Sequence, residues 1–180
     1  MDCRTSGAHF PGGPLPLAES LVRLGAVQRR AGRLAEAEKA LTRAQDVLRG
    51  LREEAPQGPG VAMWRARADG QLGKVYLRQG RRPDGERLLD GAAAALNVLF
   101  KEYPEEHGVR QARAENAFLR AGLAARQPDR AMRLLREAEE QGLFQDADWV
   151  RELQDDDDLA PLHGREDWKR LLLRATGGKS

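Results

Sequence analysis

The chain matches itself at a shift of 48 residues, and this period constrains its fold more than any other feature. The positions that coincide are Gly25 with Gly73, Gly32-Arg33 with Gly80-Arg81, Leu41 with Leu89, Ala44 with Ala92, Leu48 with Leu96, Leu51 with Leu99, Glu54 with Glu102 and Pro56 with Pro104. A fixed period of this length is typical of a copied helical hairpin, each copy burying its apolar face against the next. The repeat therefore predicts a stacked array of hairpins, an architecture that favours binding over catalysis.

The composition predicts an all-α fold. Of the 180 residues, 41% are hydrophobic, which is enough for a continuous core, while only 5% are aromatic and 32% are charged. Such a mixture suits long, solvated helices better than strands. A third, shorter copy is expected after the first two, because Ala66 corresponds to Ala114 at the same shift and Leu88-Leu89 corresponds to Leu134-Leu135 at a shift of 46.

Glycine and proline mark the expected boundaries. Residues 1–16 are rich in both and poor in apolar side chains, so we predict a disordered tail there. Gly32 stands where a left-handed cap would end a helix, and the Pro and Gly residues at 56–60 should end another. The predicted helical domain spans 17–175, with repeats at about 17–56, 62–104 and 110–142 and a cap at 146–175.

Charge and cysteine usage exclude several classes of protein. The 30 basic and 28 acidic residues leave a net charge of +2, without the excess of Lys and Arg that nucleic-acid binders usually carry. The single cysteine, Cys3, excludes an internal disulfide and any multi-cysteine zinc site. No apolar run reaches the length of a membrane span, and the first residues do not resemble a signal peptide. We expect a cytoplasmic protein with neither nucleic acid nor membrane as a partner.

None of the chemistry-bearing motifs is complete. The acidic run Asp155 to Asp158 lacks the ligand and the glycine of a calcium loop where Leu159 and Ala160 stand, so we expect solvated acids before a helix. The histidines lack metal-ligand spacing, and the serines and Cys3 lack a positioned base. We therefore expect no enzyme, no catalytic residue, no metal and no cofactor. The three tryptophans are expected to pack in the core: Trp64, Trp149 and Trp168.

The first two copies resemble the tetratricopeptide repeat. Leu24-Gly25 and Leu72-Gly73 match its Leu-Gly pair, and Tyr76 matches the aromatic residue that follows, although Gln28 replaces that aromatic in the first copy. The resemblance implies a right-handed α-solenoid of three helical hairpins plus a C-terminal capping helix. In such hairpins Gly25 and Gly73 would let two helices approach closely.

A narrower resemblance covers nearly the whole helical part. Two stretches look like the long repeats C-terminal to planctomycete-type bacterial serine/threonine protein kinases: one from Leu17-Ala18 through Gly32 to Pro56, and one from Asp129 through Gly142 and Asp156 to Leu172. That family implies a protein-docking or sensor segment beside a kinase. The chain itself carries no kinase motif, since it lacks the His-Arg-Asp and Asp-Phe-Gly triplets.

The candidate site is the set of side chains that the first helices would point into the groove of such a solenoid. Its members are Arg29, Arg67, Lys74, Arg78, Phe118 and Arg126. This basic stripe with apolar patches favours an acidic protein or peptide as the ligand. Two alternatives stay open at this point: a plain solvated face, and a helical nucleic-acid-binding or enzyme-accessory protein. The oligomeric state and the partner are not determined by the sequence.

Overall fold

The chain is all-helical wherever the structure, a computed structural model, describes it, namely at residues 13–54 and 59–177. That part contains eight α-helices, two 3₁₀-helices and no strand. The α-helices are α1 (Pro14–Arg30), α2 (Leu34–Glu54), α3 (Pro59–Arg78), α4 (Arg82–Glu102), α5 (His107–Leu123), α6 (Pro128–Glu140), α7 (Ala147–Asp155) and α8 (Glu166–Ala175). The 3₁₀-helices are Leu143–Gln145 and Asp157–Leu162. The prediction of an all-α fold is confirmed for these residues.

Helix α5 begins at His107, slightly before the predicted start at about 110, and two other early starts occur at prolines. Helix α1 begins at Pro14, inside the expected tail, and α3 begins at Pro59, inside the run that was expected to interrupt the chain. Both starts have the same cause: proline is favoured in the first helical turn, where its missing N–H has no partner to lose. Residues 1–12, which include Cys3 and most of the predicted tail, lie outside the described residues, as do 55–58 and 178–180.

Consecutive helices pack as pairs, and each pair contacts the first helix of the next pair through both of its members. Helix α1 contacts α2, α3 contacts α4, and α5 contacts α6. Between pairs, α2 contacts α3 and α4 contacts α5; in addition, α1 contacts α3, and α3 contacts α5. The three first helices therefore lie side by side, and we call the surface that α1, α3 and α5 form together the first-helix face.

Glycines allow the close packing within these pairs, as predicted. A Cβ atom on Gly25 would lie 2.5 Å from Cγ of Leu41 in α2, and one on Gly73 would lie 2.9 Å from the carbonyl oxygen of Gly85 in α4. The turns also follow expectation, since Gly32 adopts φ 74°, a left-handed conformation that ends α1 without strain.

The core consists of three clusters of buried apolar side chains. One joins α1, α2 and α3 around Leu41 and Trp64, and a second joins α3, α4 and α5 around Leu96. The third joins α5 and α6 to the C-terminal helices and contains Trp149 and Trp168. All three tryptophans are buried, so their predicted packing role is confirmed. Among the described helices, none is both long enough and apolar enough to cross a membrane.

Candidate functional site

The C-terminal part of the chain folds across the first-helix face. We call residues 146–162 the closing segment; it consists of α7 and the 3₁₀-helix Asp157–Leu162. The Trp149 ring lies 5.4 Å from the Phe118 ring of α5 in an edge-on arrangement, and the Arg30 guanidinium of α1 lies 5.4 Å from the centroid of the same tryptophan. The closing segment thus contacts the first and the last of the three first helices through one side chain.

Local sequence explains how the closing segment is built. The Asp146 carboxylate accepts a hydrogen bond from the Asp148 backbone N–H at 2.8 Å, which caps α7. Trp149, Glu152 and Leu153 are buried, and Asp156 follows at the next turn, so one face of the segment is both apolar and acidic. This face meets the cations of α1 and α3.

Lys74 of α3 is the cation held most deeply by the closing segment. Its side chain is 0% exposed, and its Nζ lies 3.0 Å from Oδ2 of Asp156 and 2.5 Å from Oδ2 of Asp158. Burial alone would raise the pKa of Asp156, but the charge and hydrogen bond of Lys74 lower that pKa below its ordinary value. Gly122 of α5 leaves space for the Lys74 ammonium, because a Cβ atom on residue 122 would lie 2.5 Å from Nζ of Lys74.

Arg29 of α1 forms a second buried link. Its guanidinium pairs with the Glu152 carboxylate and donates through Nε to Oε1 of Gln71 at 2.9 Å. Arg30 reaches the other oxygen of Glu152 at 3.0 Å. Two arginines of the first hairpin therefore hold a carboxylate that follows more than a hundred residues later in the chain.

The predicted groove is consequently not an exposed basic stripe. That expectation is wrong for Arg29, Lys74 and Phe118, which the closing segment buries and, for the two cations, neutralises. The expectation that the acidic run is solvated is also wrong for Asp156, because it is the partner of Lys74. Arg78 and Arg126 are exposed, as a binding surface requires, and ligand binding by any of the six predicted residues stays a prediction.

A groove remains open beside the closing segment, and α1, α3 and α5 all contribute to its lining. We call it the open groove; its volume is about 290 Å³. It is lined by Val22, Arg23, Ala26, Val27, Arg30, Trp64, Arg67, Gln71, Gln111, Glu115, Asp146, Asp148 and Trp149. Apolar side chains and two amides thus share the surface with charges of both signs.

Trp64 contacts two arginines at the end of the open groove that faces away from α7. The guanidinium groups of Arg23 and Arg67 lie 5.6 and 4.7 Å from the centroid of Trp64, within the range of a cation–π contact. Arg67 also pairs with Glu115 at 3.1 Å. Burial raises the pKa of Glu115, and the charge of Arg67 opposes that effect.

Sequence reasoning found Arg67 but missed other residues of the open groove, among them Arg23, Val27, Arg30, Glu115 and Asp148. A signal existed for α1, because Arg23, Val27 and Arg30 follow the i, i+4, i+7 spacing of one helical face. In the described part of the chain, no group of three or more His, Cys, Asp or Glu side chains has the arrangement of a metal site.

Comparison of the chain with family models, with curated proteins and with solved structures gives no match.

Proposed function

We propose that the chain is a non-enzymatic protein-interaction module that binds a segment of another protein in the open groove. The observation that carries this proposal is that the first-helix face already holds a helix, α7, along one part and presents an open groove beside it. Helical repeat proteins use such faces as extended binding surfaces. The carboxylates in the groove support binding over chemistry, because a cation or a backbone amide engages each of them.

The finer architecture that we propose is a tetratricopeptide-like, right-handed solenoid of three hairpins with a C-terminal cap. The side-by-side contacts of α1 with α3 and of α3 with α5 support it, and so does the close approach at Gly25 and Gly73. From the resemblance to kinase-linked repeats, we propose a cytoplasmic setting in signalling beside a serine/threonine kinase. The sequence alternative of a nucleic-acid binder is not favoured, since Arg29, Arg67 and Lys74 are paired within the chain.

A peptide-display selection on the immobilised chain tests the proposed function. The variant Val27→Asp places a charge on the apolar wall of the open groove, and Val98→Asp is the matched control. The two valines are similarly exposed, at 53% and 56%, but Val98 lies on α4 outside the groove. We expect the selected peptides to bind the wild type and Val98→Asp equally and to lose affinity at least about tenfold for Val27→Asp. Equal binding to all three proteins would place the binding surface elsewhere.

A further inference from the structure

At one end of the open groove, one cation has no carboxylate partner among the described residues. Within the described part of the chain, Arg30 pairs with Glu152 and Arg67 pairs with Glu115, whereas Arg23 contacts Trp64 and makes no ion pair. The lining at this end therefore carries two cations, Arg23 and Arg67, against the single carboxylate of Glu115. A carboxylate of a bound ligand could therefore pair with Arg23 at this end.

The opposite end of the open groove has the opposite charge. The lining there carries two carboxylates, Asp146 and Asp148, against the single cation of Arg30. Asp148 lies 3.3 Å from Arg151 of its own helix and 3.8 Å from Arg30. Its side chain is 59% exposed, so it can accept a further cation. Arg30 follows Arg23 by seven residues on α1, which puts the two ends about 10 Å apart at 1.5 Å per helical residue.

The surface between the two ends is apolar and has helical spacing. Val27 follows Arg23 by four residues and precedes Arg30 by three, with Val22 and Ala26 beside it. A second helix lying along α1 would meet these positions at matching intervals, i, i+3 or i+4, and i+7. Helix α7 shows that a helix already fits the adjoining part of the first-helix face.

We propose that the partner of the open groove is an amphipathic helix, running in either direction, with an acidic residue, an apolar residue and a basic residue along one face at i, i+3 or i+4, and i+7. Its carboxylate pairs with Arg23, its apolar side chain packs on Val27, and its cation meets Asp148. This inference rests on the proposed function and names the partner class of the same groove. It differs from the uniformly acidic ligand that the sequence alone favoured.

Three helical peptides of about 15 residues test the charge order, a length at which such sequences begin to hold a helix. They share a central leucine pair at i+3 and i+4 and differ only at i and i+7, which are Glu and Lys, Glu and Glu, or Lys and Lys. Same-sign peptides are needed because a peptide with exchanged charges could bind in the reverse direction. We expect the wild type to bind the Glu/Lys peptide about fivefold more tightly than the other two, as measured by fluorescence anisotropy.

Reversing the charge of one groove residue should change which of the three peptides the protein binds most tightly. Arg23→Glu should bind the Lys/Lys peptide best, and Asp148→Lys should bind the Glu/Glu peptide best. Arg87→Glu is the control: it changes an exposed arginine of α4 outside the groove and should keep the wild-type order. Circular dichroism of each variant checks that the helices are intact.

The outcomes separate this inference from the function on which it rests. If the three peptides bind equally, or none binds, the proposed charge order is wrong. If they bind equally but lose affinity for Val27→Asp, the groove still binds protein segments and only the charge order fails. If the binding survives Val27→Asp unchanged, both proposals fail. The proposed order stands only if the preference follows the sign of residues 23 and 148.

Discussion

At the scale of single residues, we expect Lys74 to contribute most to the packing of the closing segment on the first-helix face. Its ammonium is buried against the buried Asp156 carboxylate and also contacts the partly exposed Asp158 carboxylate. Removing one partner of a buried pair leaves an uncompensated charge. We expect Lys74→Met to lower the free energy of unfolding by about 3–5 kcal/mol in urea denaturation followed by circular dichroism. Adding Asp156→Leu to that variant should recover much of the loss, since the stranded carboxylate is then gone.

An exposed ion pair provides the control for this prediction. Arg87 pairs with Asp84 on the surface of α4, at 3.3 Å. Because solvent screens such pairs, Arg87→Met should change the free energy of unfolding by less than about 1 kcal/mol. Equal losses for Lys74→Met and Arg87→Met would mean that Lys74 is not enclosed in solution.

The same residue gives the protein a predictable response to acid. The folded-state pKa of Asp156 lies below its ordinary value, so its stabilising effect is complete above about pH 4 and is lost as the pH falls through the depressed pKa. In Lys74→Met the burial persists without the cation, which raises that pKa instead. The stability difference between the wild type and Lys74→Met should therefore shrink as the pH falls from 7 to 3. A difference that stays constant over this range would contradict the pairing of Lys74 with Asp156.

At the scale of the helices, the contact of α3 with α4 depends on glycine. A Cβ on Gly73 would lie 2.9 Å from the carbonyl oxygen of Gly85, an atom of the backbone that cannot rotate away. Gly73→Ala should therefore lower the free energy of unfolding by about 1–3 kcal/mol, although alanine has the higher helix propensity. Gly91→Ala is the control, because no atom lies within 4 Å of a Cβ there. It should stabilise α4 by up to about 1 kcal/mol. Thermal unfolding of both variants measures the contrast, and a stabilised Gly73→Ala would contradict the close approach.

Helices were the most predictable part of the fold, because the information that specifies them is local. The Leu-Gly pairs and the left-handed Gly32 follow from spacing and backbone geometry along a few turns. The helix starts at Pro14 and Pro59 were not predicted from the sequence. Proline lacks a backbone N–H, which interrupts the interior of a helix but is tolerated in its first turn, so the same residue can mark either an end or a beginning. A resemblance to helical repeats predicted the pairing of the helices but not the position of α7.

The closing segment was not predictable from periodicity. The acidic residues Glu152 and Asp156 look like solvated positions of a short helix, and only the fold brings them to Arg29 and Lys74. Contacts between residues so far apart leave no trace in a single sequence. For this reason the basic stripe was expected to be exposed. In the structure, α7 and the residue that follows it provide carboxylates that pair with Arg29 and Lys74 of this stripe.

At the scale of the whole molecule, the closing segment ties the last helices to the first. Trp149 and Leu153 belong to the same apolar cluster as Phe118, while Glu152 pairs with Arg29 at the end of α1. Releasing α7 would expose two large apolar side chains and strand buried charges, so the segment acts as a fixed part of the fold. The open groove owes its position and its acidic end to this arrangement.

A double-mutant cycle between Arg29 and Glu152 tests the arrangement most directly. The free energies of unfolding of the wild type, Arg29→Met, Glu152→Gln and the double variant give the coupling energy between α1 and α7. If the closing segment is seated on the first-helix face, the coupling energy should be about 1–3 kcal/mol, as for residues in contact. A coupling energy within about 0.3 kcal/mol of zero would mean that α7 does not contact α1 in solution, and the open groove as described would not exist.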